Sequence, residues 1–187
     1  MNTIDPAVSI VVPVRNEAGN IAPLVAEIAK ALDGQWRFEI VYVNDGSSDG
    51  TAVELDRLTA QHSWLRHVRH NESCGQSAAV RTGVAAARAP LVVTLDGDGQ
   101  NDPAFIPALI RALEAGTPHV GLVAGQRVGR KASGFKKLQS RIANLVRGAV
   151  LRDGTRDTGC GLKAFRREVF QTLPYFDGTP SPQGGLT

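Results

Sequence analysis

Short apolar runs, each followed by a polar cluster and then by apolar positions at helical spacing, constrain this 187-residue chain more than any other feature. Val8–Ser9–Ile10–Val11–Val12 is a nearly continuous β-branched run closed by Pro13, the pattern of a strand buried on both faces. Ile21, Leu24, Val25, Ile28, Ala29 and Leu32 then recur as one face of a helix that stops before Gly34. Phe38 to Val43 reads as a second strand, ended by Asn44–Asp45–Gly46–Ser47–Ser48–Asp49–Gly50. A helix with Val53, Leu55 and Leu58 as its apolar positions follows, then a weaker strand from Leu65 to Val68 and an Ala-rich helix from Ser77 to Ala87. Leu91 to Leu95 is the fourth strand. Pro103 opens another helix, Val120 to Ala124 is a fifth strand, and Lys136 to Leu151 is an amphipathic helix.

Strands alternating with helices predict an α/β fold: a mostly parallel sheet with helices on both faces. In such sheets ligands sit beyond the carboxyl ends of the strands. The polar clusters Arg15–Asn16–Glu17, Asn44–Asp45–Gly46–Ser47 and Asp96–Gly97–Asp98–Gly99–Gln100 follow strands one, two and four, so three distant loops are expected on one rim. Residues 1–177 read as one domain, and the Gly/Pro/Ser-rich residues 178–187 as a flexible tail.

Charge is distributed unevenly. Eight basic residues and no acidic one lie between Arg127 and Arg152, leaving 13 basic and 18 acidic side chains elsewhere. Phe135 is the lone aromatic of that segment, so it offers no stacking ladder and nucleic acid is not expected as a partner. Anionic lipid or phosphate fits it better, giving a peripheral membrane contact through 127–152; the other reading is a helix with its cationic face in water. No apolar run approaches the about 20 residues of a spanning helix. Cys74 and Cys160 form no metal-ligand pattern and are too few for a disulfide framework. With no secretory signal visible, the expected place is the cytoplasm, on the cytoplasmic face of a membrane if peripheral. His62, His67, His70 and His119 are expected in surface or partly packed roles.

Asp96 and Asp98 carry the chemical argument. In an extended segment residues i and i+2 point the same way, so both carboxylates can face one Mg²⁺ or Mn²⁺ whose shell substrate phosphates complete. Gly97 and Gly99 let backbone and ligand approach closely. The plain alternative is a solvated Asp-Gly turn. In the second cluster Asp49 or Thr51 can cap the following helix, while Asp45 can accept a hydrogen bond from a nucleobase N–H.

The motifs, taken in order, resemble family 2 glycosyltransferases of the GT-A fold, nearest to the dolichyl- or polyprenyl-phosphate sugar transferases. The resemblance is carried by residues 11–17 (VVPVRNE), 43–51 (VNDGSSDGT), 75–79 (GQSAA), 95–103 (LDGDGQNDP) and 157–163 (DTGCGLK). It implies a Rossmann-like GT-A domain that moves a sugar, with inversion, from a GDP- or UDP-sugar to a lipid phosphate, in cell envelope biogenesis. Pro13, Arg15, Glu17, Asp45 and Gln76 would line the nucleotide-sugar pocket, although the family usually has Asp at the Asn44 position. Asp96, Asp98 and Gln100 would hold the divalent cation. Arg127, Lys136 and Ser140 stand where relatives place groups for phosphates, Arg127 and Ser140 on the catalytic side, and Lys163 matches a position that is Arg or Lys.

Relatives usually continue beyond the point where this chain ends, so a non-catalytic nucleotide-sugar-binding fragment is one alternative. Another is a HAD-like phosphatase using Asp96 as nucleophile and Asp98 as general acid, with Gln100 in place of the Thr of that signature. Dinucleotide binding is disfavoured, because no G-x-G-x-x-G follows the first strand.

Overall fold

The computed structural model describes residues 5–116, 120–125 and 161–172. The described elements run β1 (Val8–Val14), α1 (Ala18–Leu32), β2 (Phe38–Asp45), α2 (Thr51–Gln61), β3 (Leu65–His70), α3 (Gln76–Ala86) and β4 (Leu91–Thr94). A 3₁₀ turn (Pro103–Phe105), α4 (Ile106–Ala115), β5 (Leu122–Ala124), β6 (Lys163–Arg166) and the short α5 (Arg167–Gln171) complete them.

The six strands form one sheet in the order β3-β2-β1-β4-β6-β5. β1 lies parallel to β2 and β4, and β2 parallel to β3, whereas β6 runs antiparallel to both β4 and β5. Alternation along β1 divides the core between the two faces. Val8, Ile10, Val12 and Val14 join α1, α2 and α4 through Ile21, Leu55 and Ile110. Val11 faces the other way, with Val41, Val84, Val92 and Phe165. There α3 approaches closely: a Cβ on Gly83 would lie 2.3 Å from Val11 Cγ1, so only glycine admits this spacing.

One polar cluster is buried at the opposite end of the sheet from the strand carboxyl ends. Ser9 Oγ donates to Glu39 Oε1 at 2.6 Å, Arg88 N–H to the same oxygen at 2.7 Å, and Arg66 Nε to Oε2 at 2.9 Å. Burial raises the Glu39 pKa, but hydrogen bonds from Arg66, Ser9 and Arg88 outweigh it and hold the carboxyl below its ordinary value.

Several sequence expectations require correction. β2 and β3 each run two residues further than expected, so Asn44 and Asp45 belong to a strand and are buried. β4 ends at Thr94 and β5 starts at Leu122. Val53 is 73% exposed, because it faces away from the α2 residues Leu55 and Leu58 that reach the core. The chain after Pro103 makes a 3₁₀ turn before the helix proper, with Asp102 Oδ1 accepting the Ala104 N–H. β6 was not expected from the sequence: Lys163-Ala-Phe-Arg is too short and too charged at its ends to stand out. The expected helix from Lys136 to Leu151 and the tail at 178–187 lie outside the described residues. Among the described residues, no helix is long and apolar enough to cross a membrane.

Candidate active site

The loops after β1, β2, β3 and β4 leave the same edge of the sheet, and hydrogen bonds join them in pairs. Asn16, at φ +59°, donates its N–H to Ser47 Oγ at 2.9 Å and accepts from Ser48 N–H on its Oδ1 at 2.9 Å. Glu17 N–H donates to Thr51 Oγ1 at 3.0 Å, and the Glu17 carboxylate accepts from Asn20 Nδ2 at 2.6 Å. Asp49 serves two helices at once. It accepts the first N–H of α2, from Thr51 at 2.9 Å, and the first N–H of α1, from Ala18 at 3.3 Å. The helix N-termini therefore hold an anionic acceptor, and hydrogen bonds from Thr51 keep the Asp49 carboxyl below its ordinary value. Of the two residues expected to cap α2, Asp49 does so, while the Thr51 hydroxyl ties the β1 loop to the β2 loop.

Asp45 joins the second loop to the third. Its Oδ1 accepts Cys74 N–H at 2.8 Å and lies 2.7 Å from His70 Nδ1. Its Oδ2 accepts Ser73 Oγ–H at 2.8 Å and Gly75 N–H at 2.9 Å. Burial raises the Asp45 pKa, but these four hydrogen bonds outweigh it and bring it down to about 2. With Asp45 ionised, His70 Nδ1 is the donor, and Thr82 Oγ1 lies 2.9 Å from Nε2. The four acceptor positions of this carboxylate thus hold residues 70–75 in place, and the base-recognition role expected for Asp45 has to be accommodated around them.

Gln76, the first residue of α3, joins the third loop to the fourth by donating from Nε2 to Asp96 Oδ1 at 2.8 Å. Asn101 Nδ2 donates to Asp96 Oδ2 at 3.1 Å. Gly161 lies against the same group: a Cβ there would sit 2.1 Å from Asp96 Oδ2. Its carbonyl accepts from Thr94 Oγ1 at 2.8 Å, which fixes the segment leading into β6. Lys163 pairs with Thr94, the last residue of β4, and so stands at the same rim.

Asp96 and Asp98 differ from the extended-strand expectation, because β4 has already ended and residues 97–98 form a turn. Asp96 is half-buried and engaged as described, whereas Asp98 is exposed, its Oδ1 accepting Gln100 N–H at 3.0 Å. Gly97 admits Val14 and Pro13 rather than a ligand: a Cβ would lie 2.2 Å from Val14 Cγ1 and 3.0 Å from the Pro13 carbonyl oxygen. Exposed hard oxygens beside a carboxylate held by neutral amides suit a Mg²⁺ or Mn²⁺ ion that keeps water and takes phosphate oxygens. On this chemistry the residues present fit such an ion.

Pro13, Arg15, Glu17, Asp45, Asp96, Asp98 and Gln100 therefore stand at the carboxyl ends of β1, β2 and β4 or in the loops that leave them, Gln76 opens α3 beside them, and Lys163, the first residue of β6, pairs with Thr94 at the same rim. Arg127, Lys136 and Ser140 lie outside the described residues. Reading the sequence left His70, Ser73, Asn101 and Gly161 without roles in the site. Asn101 and Gly161 stood inside motifs, but His70 reaches Asp45 only through the β2–β3 register, which pairs them.

A family model described as glycosyl transferase family 2 matches residues 9–173. Dodecaprenyl-phosphate galacturonate synthase of Rhizobium johnstonii is 36% identical over 168 residues, covering 88% of this chain and 49% of that protein. Undecaprenyl-phosphate 4-deoxy-4-formamido-L-arabinose transferase of Serratia proteamaculans is 35% identical over 177 residues, covering 92% and 53%. The chain spans about half the length of these relatives. Among solved structures, the mannosyltransferase PcManGT from Pyrobaculum calidifontis, in complex with GDP-Man and Mn²⁺, matches with a TM-score of 0.65 at 28% identity, covering 90% of this chain and 47% of that one. Glucosyl-3-phosphoglycerate synthase from Mycobacterium tuberculosis, in complex with Mn²⁺, UDP and glucosyl-3-phosphoglycerate, matches at 0.72 with 23% identity over 91% of this chain and 60% of that one, a likeness of fold. The architecture is that of the GT-A fold.

Proposed function

The chain belongs to glycosyl transferase family 2, and from that premise we propose that it forms the donor-binding part of an enzyme moving a sugar from a nucleoside diphosphate to a polyprenyl phosphate. The observation that carries this reading is the relay Asp45–(Ser73, Cys74, Gly75)–Gln76–Asp96, which joins the expected nucleotide side of the rim to the expected cation side. Family membership also replaces the phosphatase alternative.

In this reading Pro13, Arg15, Glu17 and Asp45 border the nucleotide, with Gln76 between it and the cation. Asp96 and Asp98, with Gln100, hold Mg²⁺ or Mn²⁺, which when bound offsets the negative charge of the donor diphosphate and of the leaving group. Lys163, the first residue of β6 and the partner of Thr94 at the end of β4, adds a fixed positive charge at the same rim. Arg127, Lys136 and Ser140 serve the phosphates of the donor or the acceptor. An ionised oxygen of the lipid phosphate attacks the anomeric carbon as the bond to the nucleoside diphosphate breaks, which inverts the configuration. That oxygen needs no proton removed near neutral pH, in keeping with a site whose described histidine, His70, is engaged by Asp45 and Thr82. GDP- and UDP-sugars are both candidates. The relatives named for polyprenyl phosphates support the lipid acceptor, and the basic segment 127–152 supports contact with an anionic membrane on the cytoplasmic side.

Calorimetry with UDP- and GDP-sugars, with and without Mn²⁺, tests the reading. One of the two nucleotides is expected to bind in a Mn²⁺-dependent way, and Asp96→Asn with Asp98→Asn is expected to remove that dependence. Unchanged metal-dependent affinity in the double variant would reject the site. Transfer of labelled sugar to undecaprenyl phosphate separates an enzyme from a binding fragment.

A further inference from the structure

Among the described residues, Asp45, His70 and Cys74 are the one group of three potential metal ligands whose donor atoms all lie within 4.8 Å of one another. They come from the end of β2, the end of β3 and the loop before α3. Their donors are a carboxylate, an imidazole and a thiol. That is a different chemistry from the oxygen-only set at Asp96 and Asp98.

We propose that Asp45, His70 and Cys74 form a second cation site, selective for a thiophilic divalent ion such as Zn²⁺ and separate from the one at Asp96 and Asp98. Tetrahedral Zn²⁺ has about 2.0 Å bonds to nitrogen and oxygen and about 2.3 Å bonds to sulfur, which place its ligand atoms roughly 3.3 to 3.6 Å apart. The present donor atoms, from 2.7 Å apart to no more than 4.8 Å apart, bracket that spacing. His70 Nδ1 and Asp45 Oδ1, now 2.7 Å apart, move about 0.6 Å further from each other as the ion enters between them.

The surroundings prepare each ligand. Asp45 is already ionised and is oriented by the Ser73 hydroxyl and the Cys74 and Gly75 N–H groups. Thr82 Oγ1, 2.9 Å from His70 Nε2, stands where metal-bound imidazoles find the partner that fixes their tautomer. Cys74 is exposed, which gives the ion an entry path and leaves the fourth position to water. On binding, the imidazole proton moves from Nδ1 to Nε2, where Thr82 accepts it, and the thiol proton leaves to solvent. No electron is transferred. Thiolate and imidazole together favour Zn²⁺ over Mg²⁺ and Mn²⁺, so the two sites do not compete for one ion.

Co²⁺ titration of the full chain, without nucleotide, reads the site directly and independently of glycosyl transfer. The expected result is a near-ultraviolet thiolate-to-cobalt band that Zn²⁺ abolishes. Cys74→Ser and His70→Gln are expected to remove it; Asp98→Asn and Cys160→Ser are expected to leave it. In the unaltered chain, Zn²⁺ should also slow alkylation of Cys74 by iodoacetamide at least tenfold, a readout that needs no variant to fold. Absence of the band, its persistence in Cys74→Ser, its loss in Asp98→Asn, or alkylation unaffected by Zn²⁺ would each overturn the proposal.

Discussion

Gln76 Nε2 donates to Asp96 Oδ1 at 2.8 Å, so the first residue of α3 orients the carboxylate that follows β4, 20 positions further along the chain. Gln76→Ala removes one of the amide donors that orient that carboxylate, leaving Asn101 on its other oxygen. Groups that orient a metal ligand are worth about 10- to 100-fold in metal affinity. Gln76→Ala is therefore expected to weaken Mn²⁺-dependent nucleotide binding about tenfold while leaving the melting temperature nearly unchanged. Calorimetry beside thermal denaturation checks both halves, and equal affinity in the variant would remove Gln76 from the site.

Asp45 makes stability depend on acid. Its folded pKa, about 2, lies below the ordinary 3.8, so ionised Asp45 favours the folded state. The sign follows: the contribution is complete above the unfolded value and disappears as pH falls through the folded one. The shift corresponds to about 2 kcal/mol, expected to fade between roughly pH 4 and pH 2. Asp45→Asn should melt lower than the parent chain at neutral pH, and the gap should narrow across that window. A constant gap would place the effect elsewhere.

Gly161→Ala is a test of crowding. The added Cβ would meet Asp96 Oδ2 at 2.1 Å, and the end of that side chain can swing away more easily than the strands can move. The expected outcome is a modest change in stability, within about 1 kcal/mol, with a loss of about tenfold in metal-dependent nucleotide affinity. Unaltered affinity would show that the position of Asp96 is not critical.

Glu39→Ala separates stability from the site. It leaves Ser9 Oγ, the Arg88 N–H and Arg66 without their shared acceptor at the far end of the sheet. Removing one partner from such a buried group costs about 2 to 4 kcal/mol. Denaturant titration should show that loss, while nucleotide affinity measured below the transition stays as it was.

Lys136→Glu with Lys137→Glu addresses the membrane. Exposed cations near an anionic surface contribute about 1 kcal/mol each. The double reversal is expected to reduce sedimentation with anionic vesicles and to leave neutral ones unaffected. Equal loss on both, or none, would reject membrane contact through this segment.

Local patterning in the sequence was enough for β1, α1, β2, α3 and β4, because apolar residues at period 2 or 3.6 report burial without reference to partners. It also marked Asp96 and Asp98, Asp45 and Gln76, whose loops leave the carboxyl ends of parallel strands. It missed β6, since a four-residue strand flanked by Lys163 and Arg166 is selected by its neighbours β4 and β5 and not by its own composition. It also assigned Gly97 to ligand access, whereas the glycine admits Val14 of β1.

The sequence alone determined which edge of the sheet the polar loops leave and which carboxylates stand there. Only the tertiary structure decided how they are held. Asp45 meets His70 through strand register, Asp96 meets Gly161 through a return of the chain 65 positions later, and Asp49 serves two helices from one loop. Such contacts depend on distances between segments remote in sequence. Hydrogen bonds form wherever packing brings donor to acceptor, and no spacing along the chain encodes that meeting.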